Sequence, residues 1–98
     1  MARIELSGRI VDDIERITAH LRMHEAVDSD ERTTAILRAL DALQHNPLLG
    51  RPVEDGLREL VIGRDARGYV ALYTYDVIVY TIYALAISSQ RESGYTED

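Results

Sequence analysis

Five arginines in the second half of the chain are its best-suited side chains for binding an anion. A guanidinium group can hold a phosphate or carboxylate through two parallel hydrogen bonds. The set comprises Arg51, Arg58, Arg64, Arg67 and Arg91. Acidic residues are interleaved with it, at Glu54, Asp55, Glu59 and Asp65. Two interpretations stay open: an anion-binding patch and, favoured by the interleaved acids, a set of local surface ion pairs.

Tyrosine is concentrated in the same part of the chain. Five of the six tyrosines lie between Tyr69 and Tyr83, and the sequence contains no Phe or Trp. In a strand over residues 69–75, the tyrosines share one face because side chains alternate. That face is either a stacking platform for nucleic-acid bases or, as we favour, a half-buried packing surface with hydroxyls that reach water.

Two histidines stand at the spacing of a helical metal site. His20 and His24 are four residues apart, which places both imidazoles on one helix face. A working site needs a third ligand, and the remaining histidine is His45. A solvated helix face is therefore the favoured interpretation, and we expect no metal.

Composition excludes several other chemistries. The 98 residues include no cysteine, which rules out disulfides, thiolate zinc sites and a cysteine nucleophile. A net charge of −6 opposes binding to free nucleic acid, because such binding neutralises phosphates. Neither a glycine-rich phosphate loop nor a nucleophile-elbow serine occurs, and no apolar stretch is long enough to span a membrane. We expect a cytoplasmic protein with no cofactor and no membrane partner.

The elements that must position these residues begin with a strand and two helices. Residues 3–6 alternate polar and apolar, which predicts a short strand. Ser7 is placed to cap a helix over about residues 8–25, and a second helix is predicted over about 30–45. Each helix shows an apolar stripe at offsets of three and four, listed here as Ile10, Val11, Ile14, Ile17 and Leu21, then Ile36, Leu37, Leu40 and Leu43. Asn46-Pro47 ends the second helix.

The second half predicts three strands after an irregular connector. Two prolines and a glycine within residues 47–52 should prevent any regular element. Strands follow at 57–62, 69–75 and about 78–87, the first two joined by a glycine-bounded turn. The order β-α-α-β-β-β is that of an α+β fold, with a helix hairpin packed on one face of a small, mainly antiparallel sheet. The length suits one domain over residues 1–98, with a polar tail from 88 onward.

Four segments in this order resemble the RelE/ParE toxin superfamily of type II toxin–antitoxin systems. They are Asn46–Pro52, Leu57–Ile62, Arg67–Tyr73 and Gln90–Tyr95. The resemblance covers nearly the whole chain and implies a helix hairpin against a curved antiparallel sheet. It also implies a small antitoxin that neutralises the toxin by folding over it. Systems of this kind stabilise plasmids.

The resemblance includes two branches with different chemistry. RelE-like members cleave messenger RNA in the ribosome with basic residues and a tyrosine, whereas ParE-like members inhibit DNA gyrase. This sequence lacks the RelE-like lysines in residues 60–63 and has Val70 where those members have arginine. The ParE-like branch is therefore preferred, and a gyrase-binding protein is preferred to an enzyme. The residues implied for target binding are Arg64, Arg67, Arg91 and Tyr95.

Two alternatives remain beside the gyrase hypothesis. A ribosome-dependent RNase would use Arg58, Arg67, Arg91 and Tyr95. An attenuated relic that only binds antitoxin is suggested by the acidic balance and by Ser88-Ser89, where many ParE-like sequences are basic. For the antitoxin, Leu48 and Leu49 are candidate contacts, with a buried connector as the other interpretation.

Overall fold

The computed structural model describes residues 1–24, 29–63 and 68–89. In chain order they form β1 (Arg3–Leu6), α1 (Gly8–His24), α2 (Ser29–His45), β2 (Arg51–Pro52), a 3₁₀ turn (Glu54–Gly56), β3 (Arg58–Ile62), β4 (Tyr69–Asp76) and β5 (Thr81–Ser89). The predicted α+β fold and its element order are confirmed. The expectation that the connector holds no regular element is wrong at β2, which pairs with β3. Proline is tolerated there because β2 is an edge strand.

The strands of the described residues form one sheet in the order β1-β5-β4-β3-β2. The pairing of β1 with β5 is parallel and the other pairings are antiparallel. Alternate strand residues pack against the helices. This core contains Ile10, Ile17 and Leu21 of α1, Ile36, Leu40 and Leu43 of α2, and Ile62, Tyr69, Ala71, Tyr73, Ile82, Ala84 and Ile87 of the sheet. The predicted helix stripes therefore identify the core, except that Val11 and Leu37 are exposed.

The last predicted strand begins three residues too early. The structure places Val77–Tyr80 in a turn, and β5 begins at Thr81. The physical reason is Asp76, whose Oδ1 accepts a hydrogen bond of 2.9 Å from the backbone N–H of Ile78. Such a side-chain contact to the backbone two residues ahead starts a turn. Tyr80 then adopts the left-handed conformation, with φ at 50°.

Helix α1 is fixed to β5 by two polar side chains. Ser7 Oγ accepts from the N–H of Ile10 at 3.0 Å, which confirms the predicted cap, and donates to the carbonyl of Leu85 at 2.9 Å. Leu85 is a bulge residue, because β4 pairs with Ala84 and Ala86 but skips it. Farther along α1, Asp13 Oδ2 accepts from the N–H of Ile87 at 3.0 Å. Helix α1 thus runs from the middle of β5 toward Ser89.

The sheet therefore has two distinguishable ends. We call the end at Asp76 and Thr81 the turn end, and the end at Ile62, Tyr69 and Ser89 the tail end. Helix α2 returns to the turn end, where the N–H of Ala2 donates to the carbonyl of Gln44 at 2.8 Å. Among the described residues, neither helix combines the length and the apolar character that crossing a membrane requires.

Candidate functional site

The four residues predicted to bind the target, Arg64, Arg67, Arg91 and Tyr95, lie outside the described residues. Their segments are nevertheless joined to one end of the sheet. Residues 64–67 connect β3 to β4, and residues 90–98 follow β5. Tyr69 pairs with both Ile62 and Ser89, so these connections all start from the tail end. The sequence prediction for these four residues stays a prediction.

The sheet face turned away from the helices, which we call the open face, carries few groups for acid–base or anion chemistry. Its residues include Val61, Val70, Leu72, Thr74 and Tyr83, which alternate with the core residues. Both arginines of this face within the described residues are ion-paired. Arg51 Nη2 lies 3.1 Å from Glu59 Oε1, and Arg3 Nη2 lies 2.7 Å from Glu5 Oε2. At Arg51, the one of these two that belongs to the predicted set, the structure supports the interpretation as a local ion pair.

Arg58 lies on the opposite side of the sheet from those arginines, because it pairs with the core residue Tyr73. Its Nη1 donates to the carbonyl of Gly50 at 2.6 Å and to that of Leu48 at 3.3 Å. The guanidinium group thus satisfies backbone acceptors of the connector, which has no regular structure over residues 46–50 to do so. These described contacts of Arg58 hold the connector in place.

The connector motif predicted from sequence is built around the hydroxyl of Tyr73. This hydroxyl accepts from the N–H of Gly50 at 2.9 Å and donates to the carbonyl of Pro47 at 2.8 Å. A Cβ on Gly50 would lie 2.6 Å from the carbonyl oxygen of Glu59 and 2.8 Å from the Tyr73 ring. Glycine is therefore required at this position by the close approach of the connector to β3 and β4.

The tyrosine face of β4 is a packing surface and not a stacking platform. Tyr73 is fully buried and Tyr69 nearly so, and both belong to the core under the helices. The favoured interpretation as a packing surface is confirmed for these two rings. The Tyr73 hydroxyl, however, contacts the connector backbone and not water. A buried ring cannot stack on a base, so Tyr69 and Tyr73 are excluded as nucleic-acid contacts, whereas Tyr75 is half-buried.

Leu48 and Leu49 are exposed, at 58% and 47% of their surface. The alternative of a buried connector is therefore wrong for these two side chains, and both are accessible to a partner. The functional prediction for them stays untested. Sequence analysis missed a larger exposed apolar set, the Val77–Tyr80 turn, because its apolar run resembles a strand. The available signal was Asp76, because an aspartate side chain that accepts a hydrogen bond from the N–H two residues ahead starts a turn.

His20 and His24 lie side by side on exposed positions of α1. Their ring centroids are 4.5 Å apart, at an interplanar angle of 42°. Within the described ranges, no group of three histidine, aspartate or glutamate residues is arranged to hold a metal ion. The exposure of both rings agrees with the interpretation of this region as a solvated helix face.

The fold is similar to solved toxin–antitoxin structures. A chain from "Chromosomal ParDE TA system from P. aeruginosa" has a TM-score of 0.75 and 22% identity, over 91% of this chain and 96% of that one. A chain of the toxin–antitoxin complex RelBE2 from Mycobacterium tuberculosis has a TM-score of 0.62 and 16% identity, over 90% and 96%. A chain of the intact E. coli RelBE toxin–antitoxin complex has a TM-score of 0.63 and 8% identity, over 91% and 96%.

The sequence itself identifies the family. None of the curated protein sequences compared with this chain matches it. The model of one protein family does match, over residues 4–94, and this family is described as "ParE toxin of type II toxin-antitoxin system, parDE". The match begins within β1, extends through the connector and β5, and includes the first five residues after Ser89. The chain belongs to the family of ParE toxins of type II toxin–antitoxin systems.

Proposed function

We infer that this chain is the toxin of a type II pair, that a small cognate antitoxin neutralises it, and that it arrests growth by inhibiting DNA gyrase in the cytoplasm. The observation that carries this proposal is the ParE family match over residues 4–94. The similar solved structures come from a ParDE system and from RelBE complexes, which supports an antitoxin partner. The target-binding residues we propose are Arg64, Arg67, Arg91 and Tyr95, and the antitoxin contacts are Leu48 and Leu49.

Inhibition of gyrase is preferred to ribosome-dependent cleavage of messenger RNA because of the charges on the described surface. Cleavage without a metal needs cationic groups that stabilise the developing negative charge. Arg3 and Arg51 of the open face are engaged with Glu5 and Glu59. Arg58, a candidate of the RNase alternative, donates to connector carbonyls. These contacts support a toxin that acts by binding its target.

The test is induction of the chain in a bacterium, alone and with the protein encoded by the adjacent gene. Viable counts should fall with the chain alone and recover with its neighbour. Purified chain should inhibit supercoiling by gyrase, and Arg91→Ala should relieve both effects. Arg22→Ala, a matched arginine substitution in the last turn of α1, should leave both unchanged.

The alternatives predict different results in the same cells. New messenger RNA ends within translated frames, with normal supercoiling, would establish the RNase. Normal growth together with tight binding to the neighbour would establish an attenuated toxin. A plasmid carrying the active pair should also be retained without selection, and loss at the rate of an empty plasmid would contradict a stabilising role.

A further inference from the structure

The turn between β4 and β5 exposes four consecutive apolar side chains. Val77, Ile78, Val79 and Tyr80 are 60%, 82%, 54% and 68% exposed. Hairpin turns ordinarily carry Gly, Asn, Asp or Ser, whose backbone freedom or side-chain hydrogen bonds suit the bend. Apolar residues in a turn lose the benefit of burial and lower solubility. This composition therefore points to a surface that another molecule covers.

The turn is held in shape by its own hydrogen bonds. Asp76 accepts from the N–H of Ile78, and Thr81 Oγ1 donates to the carbonyl of Val79 at 3.0 Å. The carbonyl of Tyr80 accepts from the N–H of Arg3 at 2.9 Å. Because the backbone is fixed at three points, the apolar side chains are presented in a defined arrangement. A prearranged surface loses little conformational entropy when a partner binds.

Further exposed apolar residues lie at the same end of the sheet. The backbone of Ala2 is hydrogen-bonded to Gln44 at the end of α2. The N–H of its neighbour Arg3 donates to the carbonyl of Tyr80. These bonds bring the chain start, the connector after α2 and the turn together. We define the turn-end patch as Met1, Leu48, Leu49, Val77, Ile78, Val79 and Tyr80, all of which are exposed.

We propose that the turn-end patch is a docking surface for the antitoxin, with Ile78 and Tyr80 as its main anchors; this inference rests on the proposed toxin function. A surface this apolar needs a partner that covers it for most of the protein's lifetime, as permanent interfaces do. In a toxin–antitoxin pair that partner is the antitoxin. The patch also includes Leu48 and Leu49, which the proposed function already assigns to the antitoxin.

The charge of the chain and the shape of the turn indicate what kind of antitoxin segment would bind the turn-end patch. The turn projects from the sheet, so the partner must provide an apolar pocket or wrap around it. Residues 77–81 carry no charge, whereas the whole chain carries −6. An antitoxin segment with apolar side chains inside basic flanks would complement both features. A second copy of this acidic chain is disfavoured by like-charge repulsion.

The patch lies at the opposite end of the sheet from the points where the proposed target-binding segments begin. Those segments are joined to the tail end, and strand β4 separates the two ends by about 23 Å at 3.3 Å per residue. The antitoxin would thus hold the toxin at the end opposite to the start of its target-binding segments. A substitution in the turn should weaken antitoxin binding without weakening toxicity.

The experiment compares Ile78→Asp and Tyr80→Asp with wild type. The probe is the purified protein encoded by the adjacent gene, and its Kd is measured by calorimetry. Loss of a central anchor should weaken binding by about 100-fold. Met23→Asp is the matched control, since Met23 is 78% exposed and lies in the last turn of α1, which runs toward the tail end. It should change Kd by less than about threefold. Circular dichroism confirms that each variant is folded.

Growth and sedimentation measurements complete the test. With the proposal correct, Ile78→Asp stays toxic and escapes rescue by the antitoxin. Unchanged Kd for both turn variants would overturn it. Loss of toxicity with an unchanged Kd would also overturn it, because the turn would then bind the target. A wild-type dimer that Ile78→Asp dissociates, again with an unchanged Kd, would overturn it by showing that the turn binds a second copy of the chain. If wild type itself does not bind the neighbour, the proposed pairing fails and the docking surface with it.

Discussion

Two irregular segments at the turn end of the sheet are held in opposite ways. In the connector, residues 46–50, the backbone is bound by the hydroxyl of Tyr73 and the guanidinium of Arg58. In the Val77–Tyr80 turn, the backbone is bound locally and the side chains extend into solvent. The connector is thus integrated into the core through a buried side chain of β4. The turn is attached to the fold but contributes little to its core.

This difference separates residues that stabilise the fold from residues available to a partner. Buried groups contribute to the free energy of unfolding, whereas exposed apolar groups contribute little and reduce solubility. Substitutions in the connector contacts should therefore lower stability strongly. Substitutions in the turn should leave stability nearly unchanged. Four measurements, in order of decreasing effect, test the contrast.

Gly50→Ala should have the largest effect. The new Cβ would lie 2.6 Å from a backbone oxygen of β3, which cannot move without disturbing the sheet. We expect a loss of about 3 kcal/mol in the free energy of unfolding, measured with urea. Gly8→Ala is the matched control, because a Cβ there meets nothing within 4 Å. Equal stability of the two variants would show that the connector is not tightly packed.

Tyr73→Phe should cost about 2 kcal/mol of unfolding free energy, because the N–H of Gly50 and the carbonyl of Pro47 lose their shared partner. The same substitution at the exposed Tyr80 should change stability by less than about 0.5 kcal/mol. Urea denaturation of both variants compares the two segments directly. A similar cost at both positions would remove the contrast between them.

Arg58→Met should cost about 1 kcal/mol, measured in the same way. It removes two hydrogen bonds to connector carbonyls but keeps much of the apolar stem. Arg38→Met, on an exposed position of α2, serves as the control and should lie within about 0.5 kcal/mol of wild type. An Arg58 variant as stable as this control would mean that the connector does not depend on the guanidinium group.

Ile78→Asp should have the smallest effect on stability, within about 0.5 kcal/mol of wild type. The side chain is 82% exposed and makes no contribution to the core. A marked drop in the urea midpoint would instead show that the turn packs against the fold, and it would weaken the assignment of the turn to a partner.

The sequence was informative where local pattern determines structure. Ser7 and the apolar stripes located α1 and α2, since capping and helical periodicity are local. The start of β5 was misplaced because Val77 to Ile82 is apolar or β-forming throughout, so only the contact from Asp76 marks the turn. The contact of Tyr73 with Gly50 joins residues 23 apart. No short-range pattern encodes such a contact. The hydrogen bonds from Arg58 to the carbonyls of Leu48 and Gly50 likewise depend on how the connector packs against β3, so the sequence did not predict them.

The position of β1 determines when this protein can finish folding during its synthesis. Strand β1 pairs in parallel with β5, so Arg3 must wait for Thr81 before it acquires its neighbour in the sheet. At about 5–20 residues per second, translation separates these two residues by roughly 4–16 s. Until β5 has left the ribosome, the first strand has no place in the sheet and the Val77–Tyr80 turn cannot close against Arg3. The complete sheet therefore forms only after β5 has been synthesised and has left the ribosome.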